Sequence, residues 1–200
     1  KAMHLVSSAK LRKARERVDK TRPYFETIVE SIQRILSTSK GIKHPFLENR
    51  EIKKSAYIIV TADRGLAGGF TGNILKLAEN EIDKENSVII VAGSKGRDYL
   101  TRKGYNVIES FTGMTEEPEY IYARNAGNIA INMYQNGEVD EVKLLYTKFV
   151  SVMSQEPTIT KLLPADIDAK SDSEKNLTMI QYEPSPESVI EYLIPKYIHG

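Results

Sequence analysis

The residues best placed to do chemistry lie in two glycine-bearing turns, Asp63-Arg64-Gly65-Leu66-Ala67-Gly68-Gly69-Phe70 and Gly93-Ser94-Lys95-Gly96-Arg97-Asp98. Each follows a short apolar run and precedes a helix-like pattern, where a glycine loop can present backbone N–H groups to a phosphate. The spacing departs from both phosphate-binding signatures, since neither G-x-G-x-x-G nor G-x-x-x-x-G-K-[ST] occurs. Asp63 would also repel a pyrophosphate unless Arg64 or a metal compensated. The simpler reading is structural: glycines let the chain reverse tightly, and Ser94 and Asp98 look like a helix start. A stand-alone α/β nucleotide-binding enzyme or regulator using residues 63–70 is therefore the alternative reading rather than the leading one.

Other chemistry finds less support. The absence of Cys excludes disulfides, thiol nucleophiles and thiolate metal sites. His4, His44 and His199 are scattered without ligand spacing, and no G-x-S-x-G elbow is present. Glu116, Glu117, Glu138, Asp140 and Glu141 fall in turn-like segments and read as solvated faces. The expectation is a chain with no catalytic residue, cofactor or metal of its own.

The elements that position these turns read as an α/β body. Ala56 to Val60 and Ser87 to Ala92 are short runs rich in β-branched residues, as in strands buried on both faces. Tyr105 to Ser110 and Val142 to Val150 continue the series. Helical patterns intervene with Ile74, Leu75, Leu77, Ala78 and Ile82, then Lys95 to Lys103, then Pro118 to Gln135. This alternation predicts a Rossmann-like parallel or mixed sheet with covering helices. Thr158 to Leu163 and Leu177 to Tyr182 read as two further strands forming a hairpin or edge addition around the polar stretch from Ala165 to Asn176. Pro184-Ser185-Pro186-Glu187 opens a final helix with Ser185 as cap, and Pro195 interrupts or kinks it.

Before the body stands a long helical arm, Lys1 to Lys40, with no Gly and one Pro. At 1.5 Å per residue about 38 helical residues make a rod of roughly 57 Å, longer than a compact domain of this size is wide, so part of it is expected to project. The heptad register runs through Pro23, which predicts a kink rather than two helices. Leu11, Val18, Phe25 and Ile32 fall seven apart, with Ala14, Thr21, Ile28 and Ile35 on the intervening seam positions. Such a seam needs a partner helix. Residues 1–22 carry 8 basic groups against 2 acidic ones, +6, and the other 178 carry 20 against 25, −5. A basic arm can bind nucleic acid, anionic lipid or an acidic protein surface, but the interleaved apolar seam favours protein. No stretch is long and apolar enough to span a membrane, and the start lacks the apolar core of a signal peptide. The division is residues 1–40 as a coiled-coil helical arm, 41–184 as α/β body and 185–200 as the beginning of a final helix.

Several separated motifs carry a resemblance: Lys1-Ala2-Met3 with Val6 and the run Ser7-Ser8-Ala9-Lys10-Leu11-Arg12-Lys13-Ala14; Arg22-Pro23-Tyr24; His44-Pro45-Phe46-Leu47; and Val60 to Gly69. They continue in Gly93 to Asp98, in Lys148-Phe149-Val150 with Met153 to Thr158, in Leu162-Leu163-Pro164 and in Tyr182-Glu183-Pro184. In order and together, they resemble the gamma subunit of F-type ATP synthases, the central rotor shaft. The resemblance implies that the arm pairs antiparallel with a long C-terminal helix inside a ring of alternating alpha and beta subunits. The body would sit below, against the epsilon subunit and the c-subunit ring. Relative to that family, the first turns of the N-terminal helix and nearly all of the C-terminal helix are missing, which leaves the seam without an internal partner. By resemblance Lys1, Ala2 and Met3 pass the acidic lever segment of beta, with Arg12, Lys13 and Arg15 adding to the positive side. His44, Pro45, Phe46, Leu47, Tyr182, Glu183 and Pro184 would form the foot near the c ring. The implied location is peripheral to an energy-coupling membrane, at the cytoplasmic face of a bacterial cell, with the matrix side of the mitochondrial inner membrane as the other placement. Proton or sodium flow would drive rotation, and neither nucleic acid nor direct membrane insertion is implied.

Overall fold

A computed structural model describes residues 2–39, 41–65, 67–114, 118–151, 154–167 and 182–200, with only the backbone of residues 2–5. The chain divides into two compact units, one built on residues 43–166 and the other on the first and last helices.

The first helix, α1 (Ala2–Thr38), is a single element of 37 residues that continues through Pro23. A proline inside a helix removes one backbone bond and crowds the preceding turn. On either side hydroxyls bond back to the preceding turn, Thr27 donating to Pro23 O at 2.8 Å and Thr21 to Arg17 O at 3.2 Å. The last helix, α5 (Pro186–His199), likewise runs through Pro195. Its start is set by Ser185, whose extended backbone lets the hydroxyl accept from Ser188 N–H at 3.2 Å.

Among the described residues the body holds five strands: β1 (Ser55–Val60), β2 (Ser87–Ala92), β3 (Val107–Phe111), β4 (Glu141–Phe149) and β5 (Gln155–Leu163). Their order is β3-β2-β1-β4-β5, parallel except for β5, which runs antiparallel to β4. Helices α2 (Phe70–Glu81), α3 (Ser94–Arg102) and α4 (Tyr120–Gln135) make the crossovers. One core joins Tyr57, Ile59, Ile89, Val91 and Leu145 of the strands to Ile74, Leu75, Ala78 and Leu100 of α2 and α3. The opposite parity of strand residues, Ala56, Ile58, Val88 and Ile90, is buried as well. Burial on both faces explains why these strands are unbroken apolar runs instead of alternating ones.

The structure adds the last described strand at the sheet edge. β5 makes its hairpin with β4, Val142 opposite Leu163 and Phe149 opposite Gln155, and begins three residues before Thr158. The expected second strand lies mostly outside the described residues, and Tyr182 itself is not in a strand. α2 also begins earlier than expected, at Phe70, within the supposed turn.

The start of β1 is pinned by Asp140. Its Oδ2 accepts the backbone N–H groups of Lys53 and Lys54, each at 2.9 Å, and Asp140 N–H donates to Lys54 O at 2.8 Å. These two backbone donors hold the Asp140 carboxyl below the usual 3.8. A carboxyl depressed in the folded state adds stability above its unfolded pKa and loses it as pH falls through the folded one. Asp140→Ala should therefore cost about 1 kcal/mol at neutral pH, the scale of a lost cap, and the gap from the parent should close below the ordinary aspartate range. Urea midpoints at pH 7 and pH 3 would check this; a gap that persists at pH 3 would assign the effect to packing. Beside it Glu141, buried, takes hydrogen bonds from the Ser55 hydroxyl and the Lys143 ammonium, both at 2.6 Å. Burial alone would lower the Lys143 pKa, but the hydrogen bond to Glu141, with the negative groups around it, holds it above the ordinary lysine value.

Candidate functional site

The carboxyl ends of the parallel strands are where this class of sheet binds ligands, so both glycine turns fall in a suggestive place. Their geometry is nevertheless taken up internally. At the head of α3 the Ser94 N–H donates to Asp63 Oδ1 at 2.9 Å and the Ser94 hydroxyl to Asp63 O at 2.9 Å. Lys95 N–H donates to Ala62 O at 3.1 Å, Gly96 N–H to Thr61 Oγ1 at 3.1 Å and Arg97 N–H to Gly93 O at 3.2 Å. The Thr61 hydroxyl in turn donates to Ala92 O at 2.8 Å. The N–H groups of the first turn, the donors a phosphate would need, thus already have acceptors. A groove of about 290 Å³ does open beside the first turn of α2, between Gly69, Phe70 and Asn73 and the strand residues Thr147, Gln155 and Pro157. None of the described residues lining it is charged, so it holds no cation to neutralise a phosphate. The nucleotide-binding alternative is not favoured by this geometry.

The glycines have a packing reason. Gly93 sits at φ +100, and a Cβ there would lie 2.5 Å from Thr61 O. A Cβ on Gly96 would run into the Thr61 side chain. Nothing in the linear spacing announced Thr61 as the shared centre; its place just past a fully buried strand was the available signal.

The expected foot residues are placed differently from one another. His44 and Phe46 are buried in the body, where the Phe46 N–H donates to His44 Nδ1 at 3.2 Å and their rings lie 5.0 Å apart. Tyr134 completes this anchor: its hydroxyl donates to Pro45 O at 3.0 Å, its ring is 6.2 Å from Phe46 and Arg50 lies over it at 4.1 Å. Burial pushes the Tyr134 hydroxyl pKa up. The backbone of the motif is tied in too, with Ala165 N–H donating to Phe46 O at 2.7 Å. Pro45 is exposed and Leu47 partly so. Tyr182 belongs with the helical unit, its hydroxyl 3.4 Å from that of Thr38, and Glu183 and Pro184 are exposed.

The arm is the part whose surface asks for something else. Phe25 stacks on Tyr197 with ring centroids 5.6 Å apart, and Thr38 meets Tyr182. Advancing along α1 from 25 to 38 therefore retreats along the chain from 197 to 182, so α1 and α5 run antiparallel. On this stretch the seam residues Ile28, Ile32 and Ile35 are buried, as are Ile190 and Ile194 of α5. The seam thus meets an internal partner at one level, Phe25 on Tyr197, which corrects the expectation of none. Beyond that level the same heptad positions lie open, with Leu11 39% and Val18 53% exposed and neighbouring Val6 57%. Arg12, Lys13 and Arg15 are exposed alongside, Arg12 reaching Glu16 at 4.0 Å. Lys1 lies outside the described residues, and Ala2 and Met3 are helical in backbone. Among the described residues no group of three or more His, Cys, Asp or Glu could hold a metal ion, and no helix is long and apolar enough to cross a membrane.

Comparison with known proteins places this arrangement. The family model described as ATP synthase matches residues 1–200. The ATP synthase gamma chain of Alkaliphilus metalliredigens is 46% identical over 206 residues, covering 100% of this chain and 71% of that protein. The sodium-ion-specific ATP synthase gamma chain of Acetobacterium woodii is 42% identical over 215 residues, covering 98% and 71%. In fold the chain is similar to one in the central stalk and c ring of the Tetrahymena thermophila mitochondrial ATP synthase, with a TM-score of 0.70 at 20% identity over 99% of this chain and 86% of that one. Family match and relatives agree with an α1–α5 pair carrying an open seam: the chain belongs to the ATP synthase gamma family.

Proposed function

We propose that this chain is the non-catalytic central shaft of an F-type ATP synthase, coupling rotation driven by ion flow to ATP synthesis or hydrolysis in a ring of alpha and beta subunits. The observation that supports this most is the α1 seam, buried at Ile28, Ile32 and Ile35, stacked on α5 at Phe25 and exposed at Val18 and Leu11 among basic residues. A shaft forms no bonds; it must be stiff and unequal on its different sides. Each beta subunit then senses which side it meets, so shaft angle and nucleotide affinity are linked reciprocally. Arg12, Lys13 and Arg15, with Lys1, Ala2 and Met3 ahead of them, form the side that meets an acidic segment of beta. Tyr182, Glu183 and Pro184 on one unit, and the His44-Pro45-Phe46-Leu47 segment on the other, are each assigned to contact with the c ring by resemblance to the family; in the second, Pro45 is exposed and His44 and Phe46 are buried. Epsilon docks on the body, and the assembly is peripheral to the membrane, on the cytoplasmic face of a bacterial cell. Co-expression of the full-length chain with alpha and beta subunits should give a stoichiometric complex that hydrolyses ATP, and reversing Arg12, Lys13 and Arg15 to Glu should lower its turnover several-fold. Failure of the parent chain to co-purify with the ring would end the proposal.

A further inference from the structure

Among the described residues the sheet ends on β3, and a sheet edge offers unpaired N–H and C=O groups to any strand that reaches it. Phe111 O accepts the Gly93 N–H at 2.8 Å, so Phe111 turns its polar backbone towards β2. Alternation along the strand then turns that of Ser110 outward. The outward Ser110 N–H is already taken: it donates to Glu109 Oε1 at 2.8 Å, the carboxylate of the preceding residue folding back over the edge. A second irregularity lies beside it. Ile89 pairs with Val107 and the next residue, Ile90, with Glu109, so Ile108 is an extra residue in β3. A bulge of this kind bends an edge away from straight pairing, and Ile108 is left 40% exposed. We infer that the outer edge of β3 is a guarded strand-pairing surface, with Glu109 as the guard and β3 of a second copy of this chain as the partner it excludes. Two identical edges are self-complementary about a two-fold axis, and Val107, Ile108 and Phe111 are residue types that favour strands. Glu109 opposes the pairing twice over, by occupying the outward donor and by bringing one negative charge from each copy into the same narrow seam. The inference is independent of the shaft role, because it concerns the body alone and is read without the ring subunits.

The test removes the guard and asks whether the edge pairs. Sedimentation of the full chain is compared with and without Glu109→Val, both forms carrying Val18→Asp so that the open seam of α1 offers no route of its own to association. The form that keeps Glu109 should stay a single chain. Glu109→Val should rise about two-fold in mass between about 1 and 100 µM, the range of a micromolar dimer. Exchange of the Ser110 amide with solvent, followed by NMR over the same range, locates the contact: it should slow with concentration in Glu109→Val and stay constant when Glu109 is present. A Glu109→Val chain that is folded and remains a single chain at the top of the range overturns the inference. So does one that associates while its Ser110 amide ignores concentration, since the contact would then be a greasy patch elsewhere. A chain with Glu109 that associates as strongly as the variant would show that the carboxylate guards nothing. Should Glu109→Val not accumulate folded, Glu109→Thr carries the same two measurements, with the same outcomes deciding.

Discussion

Gly93→Ala should remove about 4 kcal/mol from the stability of the body. Two costs combine. The backbone at φ +100 and ψ 130 is open to glycine and strained for any other residue, worth about 1–3 kcal/mol. The added methyl would also lie 2.5 Å from Thr61 O, a backbone atom. That atom cannot retreat freely, because Thr61 N–H donates to Ala92 O at 2.7 Å and the Thr61 hydroxyl holds both Ala92 O and the Gly96 N–H. Overpacking of this kind adds about 1–3 kcal/mol, a large share of the roughly 5–15 kcal/mol that a domain has in all. Gly104→Ala is the matched comparison: its φ is +80, but its Cβ would meet open space, so only the conformational cost of about 1–2 kcal/mol applies. Urea unfolding of both variants checks the argument; equal losses would show that Thr61 yields and that contact is unimportant.

Ile32→Ala should cost about 3 kcal/mol, as expected for truncating a fully buried aliphatic side chain. Val18→Ala, on the same seam but half-exposed, should stay within about 0.5 kcal/mol in the isolated chain. The order should reverse in assembly. Val18→Asp should leave the isolated chain's melting unchanged and cut recovery of a complex with alpha and beta subunits several-fold, since it places a charge where an apolar row expects a partner. Circular dichroism melts and co-purification yields measure the two effects separately. If Val18→Asp assembled like the parent, the open seam would have no part in the contact.

How much of this was legible in the residues differs by element. Strands β1 and β2 were, because burial on both faces writes itself as an apolar run of Ile, Val, Ala and Tyr. The shaft seam was legible from spacing alone, and Pro23 did not break it. The partner of β5 was not: alternating residues reveal that a strand has two faces, never which neighbour it lies beside. Pro157 was the overlooked sign, since a proline within a strand points to a sheet edge, and here it lies opposite Thr147 of β4. The head of α3 was half legible, its glycines read as a turn while Thr61 and Asp63, some 31 residues away, supply the contacts that require them. His44 and Phe46, carried over by resemblance as part of a partner-contacting foot, are themselves buried in the body.

The strand order has a temporal side. β1 lies between β2 and β4, and its contact with β4 joins residues 86 positions apart, as Ser55 and Glu141 show. The middle of the sheet therefore cannot close until Glu141 has left the ribosome, and pairing at such separation is intrinsically slow. The shaft waits longer still, for Phe25 gains its cover only when Tyr197 has been synthesised. That greasy row therefore stays without its own partner while the whole body is being synthesised, an interval in which it is open to other apolar surfaces.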